Sequence, residues 1–130
     1  MQKQKVFTGA PWESKVGYCH ALRIGDRIEV AGTTAMKEGK VVGVGNAYEQ
    51  TTFILQTIES ALQQLGANMS DVIRTRMFVT DISKWEEIGK AHGEFFRAIQ
   101  PVATMVEVKG LIHPDLLVEI EVEAVHKKEY

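Results

Sequence analysis

The chain has 130 residues, 45% of them hydrophobic and 25% charged, with a net charge of −2 and a pI near 6.1. A soluble globular protein is expected, with a single domain over residues 1–130. There is no basic excess to follow a phosphate backbone, so nucleic acid is not expected as a partner. Apolar runs are broken well short of the ~20 residues that a membrane span needs, and no membrane association is expected. The opening MQKQKVF lacks the apolar stretch of a signal peptide, and the lone Cys19 excludes an internal disulfide. Both features suit a reducing cytoplasm, the expected location.

In chain order, YCHALRIGDRIEVAGT holds two alternating runs around Gly25-Asp26 and predicts a β-hairpin. KEGKVVGVGN, with three glycines in ten residues, predicts a turn, a short strand and a loop. It lacks the GK[ST] ending and the GxGxxG spacing of phosphate-binding loops. Asn46 and Glu49 have the spacing of a capping box, each side chain capping the other's backbone. Ile54, Leu55, Ile58, Ala61, Leu62 and Leu65 then recur at helical spacing until Gly66.

DVIRTRMFVTDI alternates as a strand of about eight residues. Ser83 and Glu86 form a second capping box, ahead of a helix whose apolar face carries Trp85, Ile88, His92, Phe95 and Phe96. Pro101 marks its exit, VATMVEVKG reads as a strand, Gly110 to Pro114 as a turn, and LLVEIEVEAV as the last strand. The pattern predicts an α+β fold with two helices on one face of a mixed β-sheet.

Alternation sorts the sheet faces. In the last strand Val118, Ile120, Val122 and Ala124 are expected to face the helices, with Glu119, Glu121 and Glu123 on the other side. In the earlier strand Val72, Arg74, Arg76 and Phe78 are expected opposite Ile73, Met77 and Val79. A face that mixes acids, arginines and apolar groups is either solvated, with compensating charges, or packed against copies of itself.

Few residues offer reagents. His20, His113 and His126 lack metal-ligand spacing, and no metal is expected. Cys19 and His20, adjacent in an extended run, are expected to point to opposite faces, with Cys19 a buried thiol. His92 is a core histidine or a ligand contact. Trp12 and Trp85 suit a cleft rim or a cover over the core. The hydroxyls of Thr33, Thr34 and Thr104 can bond a ligand or a strand end. Glu119 can pair with Arg74 or Arg76, or act as a general base or acid with its pKa raised by desolvation.

The ordered segments VGYCHALRIGDRIEVAGT, TRMFVTDISKWEEIGKAHGEFF and PVATMVEVKGLIHPDLLVEIEVEAV resemble the RidA family, also called the YjgF or reactive-intermediate deaminase family. Its C-terminal signature runs Pro-x-Arg, a Val-x-Val strand, Leu-Pro, and a Val/Ile-Glu-Ile-Glu-x-x-Ala strand. The resemblance covers almost the whole chain. It implies a chorismate mutase-like domain that trimerises through its sheet, with clefts between adjacent subunits of the homotrimer. It also implies cofactor-free hydrolysis of reactive imines or enamines, with a small-molecule metabolite as partner. Other members are described as endoribonucleases or translation inhibitors, and some bind ligands only.

By the same resemblance, Tyr18 and Glu119 fall on catalytic positions, Glu119 after a turn one residue longer than usual. The expected substrate-binding positions are Ala31 (in place of a serine), Gly32, Gly89 (in place of an asparagine), Ala103 and Met105, to which His92 and Thr104 are added for their own chemistry. Ala103 stands where the family's arginine holds a substrate carboxylate with its guanidinium fork. An altered substrate range follows, or a role in metabolite binding without catalysis.

Overall fold

Residues 2–128 are described by a computed structural model. In chain order the elements are β1 (Lys3–Val6), α1 (Pro11–Val16), β2 (Ala21–Ile24), β3 (Arg27–Thr34), β4 (Met36–Lys37) and β5 (Lys40–Val41). Then follow α2 (Ala47–Gln64), β6 (Val72–Val79), α3 (Trp85–Phe96), β7 (Val102–Glu107) and β8 (Val118–Val125). Six strands form one sheet in the order β1-β2-β3-β8-β6-β7, while β4 and β5 make a separate hairpin. All pairings in the large sheet are antiparallel except β6 with β7. Parallel neighbours need a crossover, and α3 fills it.

The α2 helix begins where Asn46 accepts the Glu49 N–H at 2.9 Å. The return bond of a capping box is not made, and the Glu49 side chain lies against the Gly43 backbone instead. Ile54, Leu55, Ile58 and Leu62 are fully buried, at roughly 1.5–3 kcal/mol of hydrophobic stabilisation each. That burial, rather than helix propensity, holds the helix against β3 and β8. Val118, Ile120, Val122 and Ala124 meet it from the sheet as expected, and α3 packs beside it. The architecture is α+β, with two helices on one face of a mixed sheet. No helix among the described residues is long and apolar enough to cross a membrane.

Two β-bulges reset the alternation. In β6 the register shifts between Val72 and Arg74, so Val72 is buried while Ile73 is 48% exposed, the reverse of the expectation. Arg74, Arg76 and Phe78 keep the open face. In β3 the shift lies between Val30 and Thr33, so Ile28, Val30, Thr33 and Ala35 all reach the core. The second predicted cap is also corrected. Asp81, not Ser83, caps the turn, accepting the Ser83 N–H at 3.0 Å and its hydroxyl at 2.6 Å. This inserts a short 3₁₀ turn, and α3 starts at Trp85, whose side chain faces outward at 56% exposure rather than joining the core.

Three elements have no counterpart in the sequence reading: β1, α1 and the two-residue β4 that pairs with β5. Strand β1 adds an edge beside β2, and the six-residue α1 starts with Pro11 and ends at Gly17, whose φ of 90° reverses the chain.

Two buried polar side chains fasten the layers together. Gln50 donates to the Asp115 carbonyl at 2.9 Å and accepts the Leu117 N–H at 2.8 Å, fixing the approach to β8 from α2. Arg23 donates to the carbonyls of Gly25 (2.9 Å), Leu65 (2.7 Å) and His126 (2.8 Å). It thus joins the hairpin, the end of α2 and the segment after β8. The helix dipole favours a cation at Leu65. Arg23→Met should lower unfolding free energy by at least about 3 kcal/mol, since charge-assisted bonds contribute ~1.5–3 kcal/mol each. Urea denaturation measures this, and an unchanged midpoint would contradict the fastening role.

Candidate functional site

The site forms where the β3 bulge meets β8. Thr34 lies opposite Glu119 on one side, and Phe78 of β6 lies opposite it on the other. Gly32 makes the space: a Cβ there would stand 2.5 Å from Glu119 Oε2. The requirement at this glycine is therefore steric.

His20 and Thr33 hold the bulge in shape. The Ala31 N–H donates to the His20 carbonyl at 2.8 Å, and the Thr33 hydroxyl donates to the Ala31 carbonyl at 2.8 Å. His20 Nε2 stands 2.9 Å from the same hydroxyl oxygen. That hydroxyl has one hydrogen, already given to Ala31, so it accepts from the His20 N–H. Both side chains are buried.

The adjoining wall is α1, anchored by Glu13. Its buried carboxylate accepts the Thr8 hydroxyl at 2.7 Å, the Thr8 N–H at 3.1 Å and the Gly9 N–H at 3.1 Å. Burial alone would raise its pKa; the donors from Thr8 and Gly9 outweigh that and hold it below the ordinary range. The Tyr18 N–H donates to the Glu13 backbone carbonyl at 3.0 Å, and Trp12 directly precedes Glu13 in α1.

Trp12, Tyr18, Gly32, Thr34, Ile112 and Glu119 line a cavity of about 200 Å³. An inner chamber of about 90 Å³ shares Trp12, Tyr18, Gly32 and Thr34, and adds Glu13, His20 and Thr33. At ~30 Å³ per water it has room for a few solvent molecules. Tyr18 also borders an open groove of about 780 Å³ with Lys5, Cys19, Leu22 and Glu121.

Burial, and then the charge of Glu121, raise the pKa of Glu119. Neither Arg74 nor Arg76 neutralises it. Arg76 instead pairs with Glu121 at 3.3 Å and Glu123 at 3.1 Å. Burial, then the charges of Glu13 and Glu119, raise the pKa of Tyr18, so its phenol keeps its proton as a donor. Burial lowers the pKa of His20 against the opposing pull of Glu13, favouring neutral imidazole. The arrangement offers an unpaired, half-buried carboxylate beside a phenol. No group of three or more His, Cys, Asp or Glu among the described residues is placed to hold a metal.

Of the residues singled out in the sequence, Tyr18, Ala31, Gly32 and Glu119 gather here, although Ala31 borders the open groove rather than the Glu119 cavity. Gly89 and His92 lie on α3, and Ala103, Thr104 and Met105 on β7, which β6 separates from β8. His92 Nε2 is 2.8 Å from the Thr75 hydroxyl, with its ring 4.7 Å from Phe96, so it ties α3 to β6. Burial lowers its pKa too. Ala103 pairs with buried Thr75 on the helix side of the sheet, and Met105 pairs with Met77. Thr104 pairs with Arg76 on the open side, and a Cβ on Gly89 would meet nothing within 4 Å.

Residues 17–20 are not extended as a strand, which removes the basis for opposing Cys19 and His20; Cys19 is half-buried. Glu13 and the structural role of His20 were not legible in advance. Pro11 followed by an acid two residues later is the one local hint of α1.

This architecture and cleft define a small α+β protein with a carboxylate–phenol site and a covered helix layer. The chain belongs to the family described as endoribonuclease L-PSP, whose model matches residues 8–126. It is 40% identical over 121 residues to an uncharacterised protein of Streptomyces coelicolor, covering 93% of this chain and 90% of the relative. It is 29% identical over 123 residues to a RutC family protein of Pyrococcus abyssi, covering 93% and 95%. A crystal structure from Mycobacterium tuberculosis, of the YjgF/YER057c/UK114 family, matches with a TM-score of 0.87 and 47% identity, over 95% of this chain and 99% of the other. The chorismate mutase-like fold implied by the sequence resemblance is the fold observed.

Gly32→Ala should push the Glu119 carboxylate out of its seat while leaving the fold intact, because the displaced atoms are the end of a flexible side chain. With its burial relieved, the carboxyl should titrate at lower pH than in the parent. Carbon-detected NMR of Glu119 reads this directly, and an unshifted titration would show that Gly32 does not set its environment.

Proposed function

We propose that the protein is a cofactor-independent hydrolase of reactive imines or enamines, with Glu119 as proton acceptor and donor and Tyr18 as hydrogen-bond donor. The observation that carries this reading is the Glu119 carboxylate, half-buried, free of any cation among the described residues, and seated against Gly32 beside the Tyr18 phenol.

Water adds to the imine carbon as ionised Glu119 takes one of its protons, and the C=N bond becomes a C–N single bond. Glu119 returns the proton to nitrogen. Glu119 then takes the proton of the new hydroxyl as C=O forms and delivers it to the nitrogen, so the C–N bond breaks and the nitrogen leaves as ammonia. The balance is one imine and one water to one carbonyl compound and one ammonia. Proton transfer of this kind contributes roughly 10²–10⁴-fold.

The working unit is proposed to be a homotrimer. The expected site residues fall into two sets within one chain, β3/β8 and α3/β7, and a cleft between subunits would bring one set opposite the other. The mixed open face, with Val102 and Val106 exposed on the edge strand, suits such packing. A monomer in analytical ultracentrifugation at micromolar concentration would refute the trimer.

Ala103 favours a second reading, a trimer that binds a small metabolite without turning it over, since the position lacks the family's carboxylate-holding arginine. RNA cleavage has less support: Arg76 on the open face is already engaged by two glutamates. A small-molecule partner, a cytoplasmic location and a single domain complete the proposal.

Ammonia release from freshly generated imines tests the reading. Glu119→Gln should lower turnover by roughly 10²-fold or more with the assembly intact. Because the base must be ionised, activity should rise with pH through the raised pKa of Glu119. Glu121→Gln removes one cause of that rise and should move this acid limb to lower pH. A folded Glu119→Gln protein with undiminished turnover would move the chemistry elsewhere.

A further inference from the structure

A larger and more apolar cleft adjoins the Glu119 cavity. It measures about 500 Å³, and its apolar walls are Pro11, Trp12, Met36 and Ile112. Trp12 and Ile112 line both spaces, so the two compartments meet at these side chains. The 200 Å³ beside Glu119 suits only a small reacting group; the adjoining cleft adds volume in the range of small-molecule sites.

The walls are held by construction. Pro11 opens α1, and Trp12 directly precedes the buried Glu13 that pins residues 8 and 9. Met36 starts the β4–β5 hairpin, whose two turn residues, Glu38 and Gly39, have φ of 52° and 78°. Such a turn twists with the strands it joins, which fixes the direction of Met36. Ile112 is 70% exposed, an apolar side chain given to the cleft rather than the core.

Charge narrows the occupant. Among the described residues, no lysine or arginine lines either compartment; Glu119 lines one, and Glu38 lines the other together with His113, whose Nδ1 accepts the Asp115 N–H at 3.0 Å. A carboxylate entering here meets two like charges and no guanidinium. A neutral imine, or its protonated form, meets no such opposition.

We propose that the Trp12–Met36–Ile112 cleft is the specificity pocket of the candidate site, and that it takes the aryl or branched-alkyl side group of an imine bearing no carboxylate. For turnover, this rests on the hydrolase reading of Glu119 and Tyr18; for binding, it stands by itself. The imine carbon lies at Glu119 while the side group lies between Trp12 and Met36. The stoichiometry of hydrolysis is unchanged, and the carbonyl product is an apolar aldehyde or ketone instead of a 2-oxo acid.

The test compares three matched probes with the intact protein. Imines generated in situ from an arylalkyl amine, from a methyl-sized amine and from the amino acid with the same aryl group are assayed for ammonia release. The arylalkyl imine should exceed both others at least tenfold in kcat/KM. Trp12→Ala should raise its KM at least tenfold more than that of the small imine, and Trp12→Phe should restore most of the difference. If Trp12→Ala does not fold, Met36→Ala should show the same selective rise. In parallel, calorimetry measures binding of the stable ketones 4-phenyl-2-butanone and acetone, and of phenylpyruvate.

Tighter binding of phenylpyruvate, or equal binding of the two ketones, overturns the pocket assignment. So does turnover that ignores the side group, although that outcome leaves the hydrolase reading standing. Selective binding of the aryl ketone, lost in Trp12→Ala and unaccompanied by turnover of any imine, upholds the pocket and removes the hydrolase.

Discussion

The extra residue in β3 is the constraint on which the site depends. A regular strand from Val30 to Thr34 would leave Thr33 and Ala35 on the wrong side for the core. The bulge restores their burial and places Gly32, without a side chain, where the Glu119 carboxylate needs room. His20 then holds the irregular segment twice, through its backbone carbonyl to Ala31 and through its ring to Thr33. The environment of the carboxylate is thus set by backbone shape, while Arg76, the nearest plausible counter-ion by register, is occupied by Glu121 and Glu123.

Topology explains why the residues expected at one site lie in two places. Neighbouring strands are ~4.8 Å apart, so β7, two strands from β8, runs about 10 Å away from it. Ala103 and Met105 also belong to the helix side of the sheet, with Thr75 and Met77, whereas Glu119 belongs to the open side. Within the chain a side chain at 103 lies on the face of the sheet that carries Thr75 and its partner His92, away from Glu119.

The helices and strands with strong periodicity were legible because their pattern is a direct record of burial. Ile54 to Leu65 for α2 and Val118 to Ala124 for β8 are examples. The start of β6 was not: alternation assumes one residue opposite one residue, and nothing in DVIRTRMFV announces that Val72 and Ile73 exchange sides while Arg74 to Val79 keep theirs. Strand β1 escaped notice since one of its four residues is buried, and α1 because six residues carry too little periodicity. What holds α1 is a contact between Glu13 and the loop before it, which is tertiary information. The family resemblance brought out Tyr18, Gly32 and Glu119, which do meet. It could not show that His92 spends its ring nitrogen on Thr75, or that His20, passed over for lacking metal spacing, braces the site.

Strand order has a consequence for how the molecule is made. β8 lies in the middle of the sheet, between β3 and β6, yet among the described residues it is the last strand. During synthesis β1–β3 and β6–β7 emerge as two separate sheet fragments, each with an open edge and an uncovered apolar face, and neither can pair with the other. The seam closes only when the final strand leaves the ribosome. Until then the nascent chain carries the exposed surface that chaperones recognise and that promotes misassembly. A stalled or shortened product lacking β8 would therefore lose the join between the two fragments, and with it Glu119 and the share of the contact with α2 that β8 divides with β3, rather than only the end of one strand.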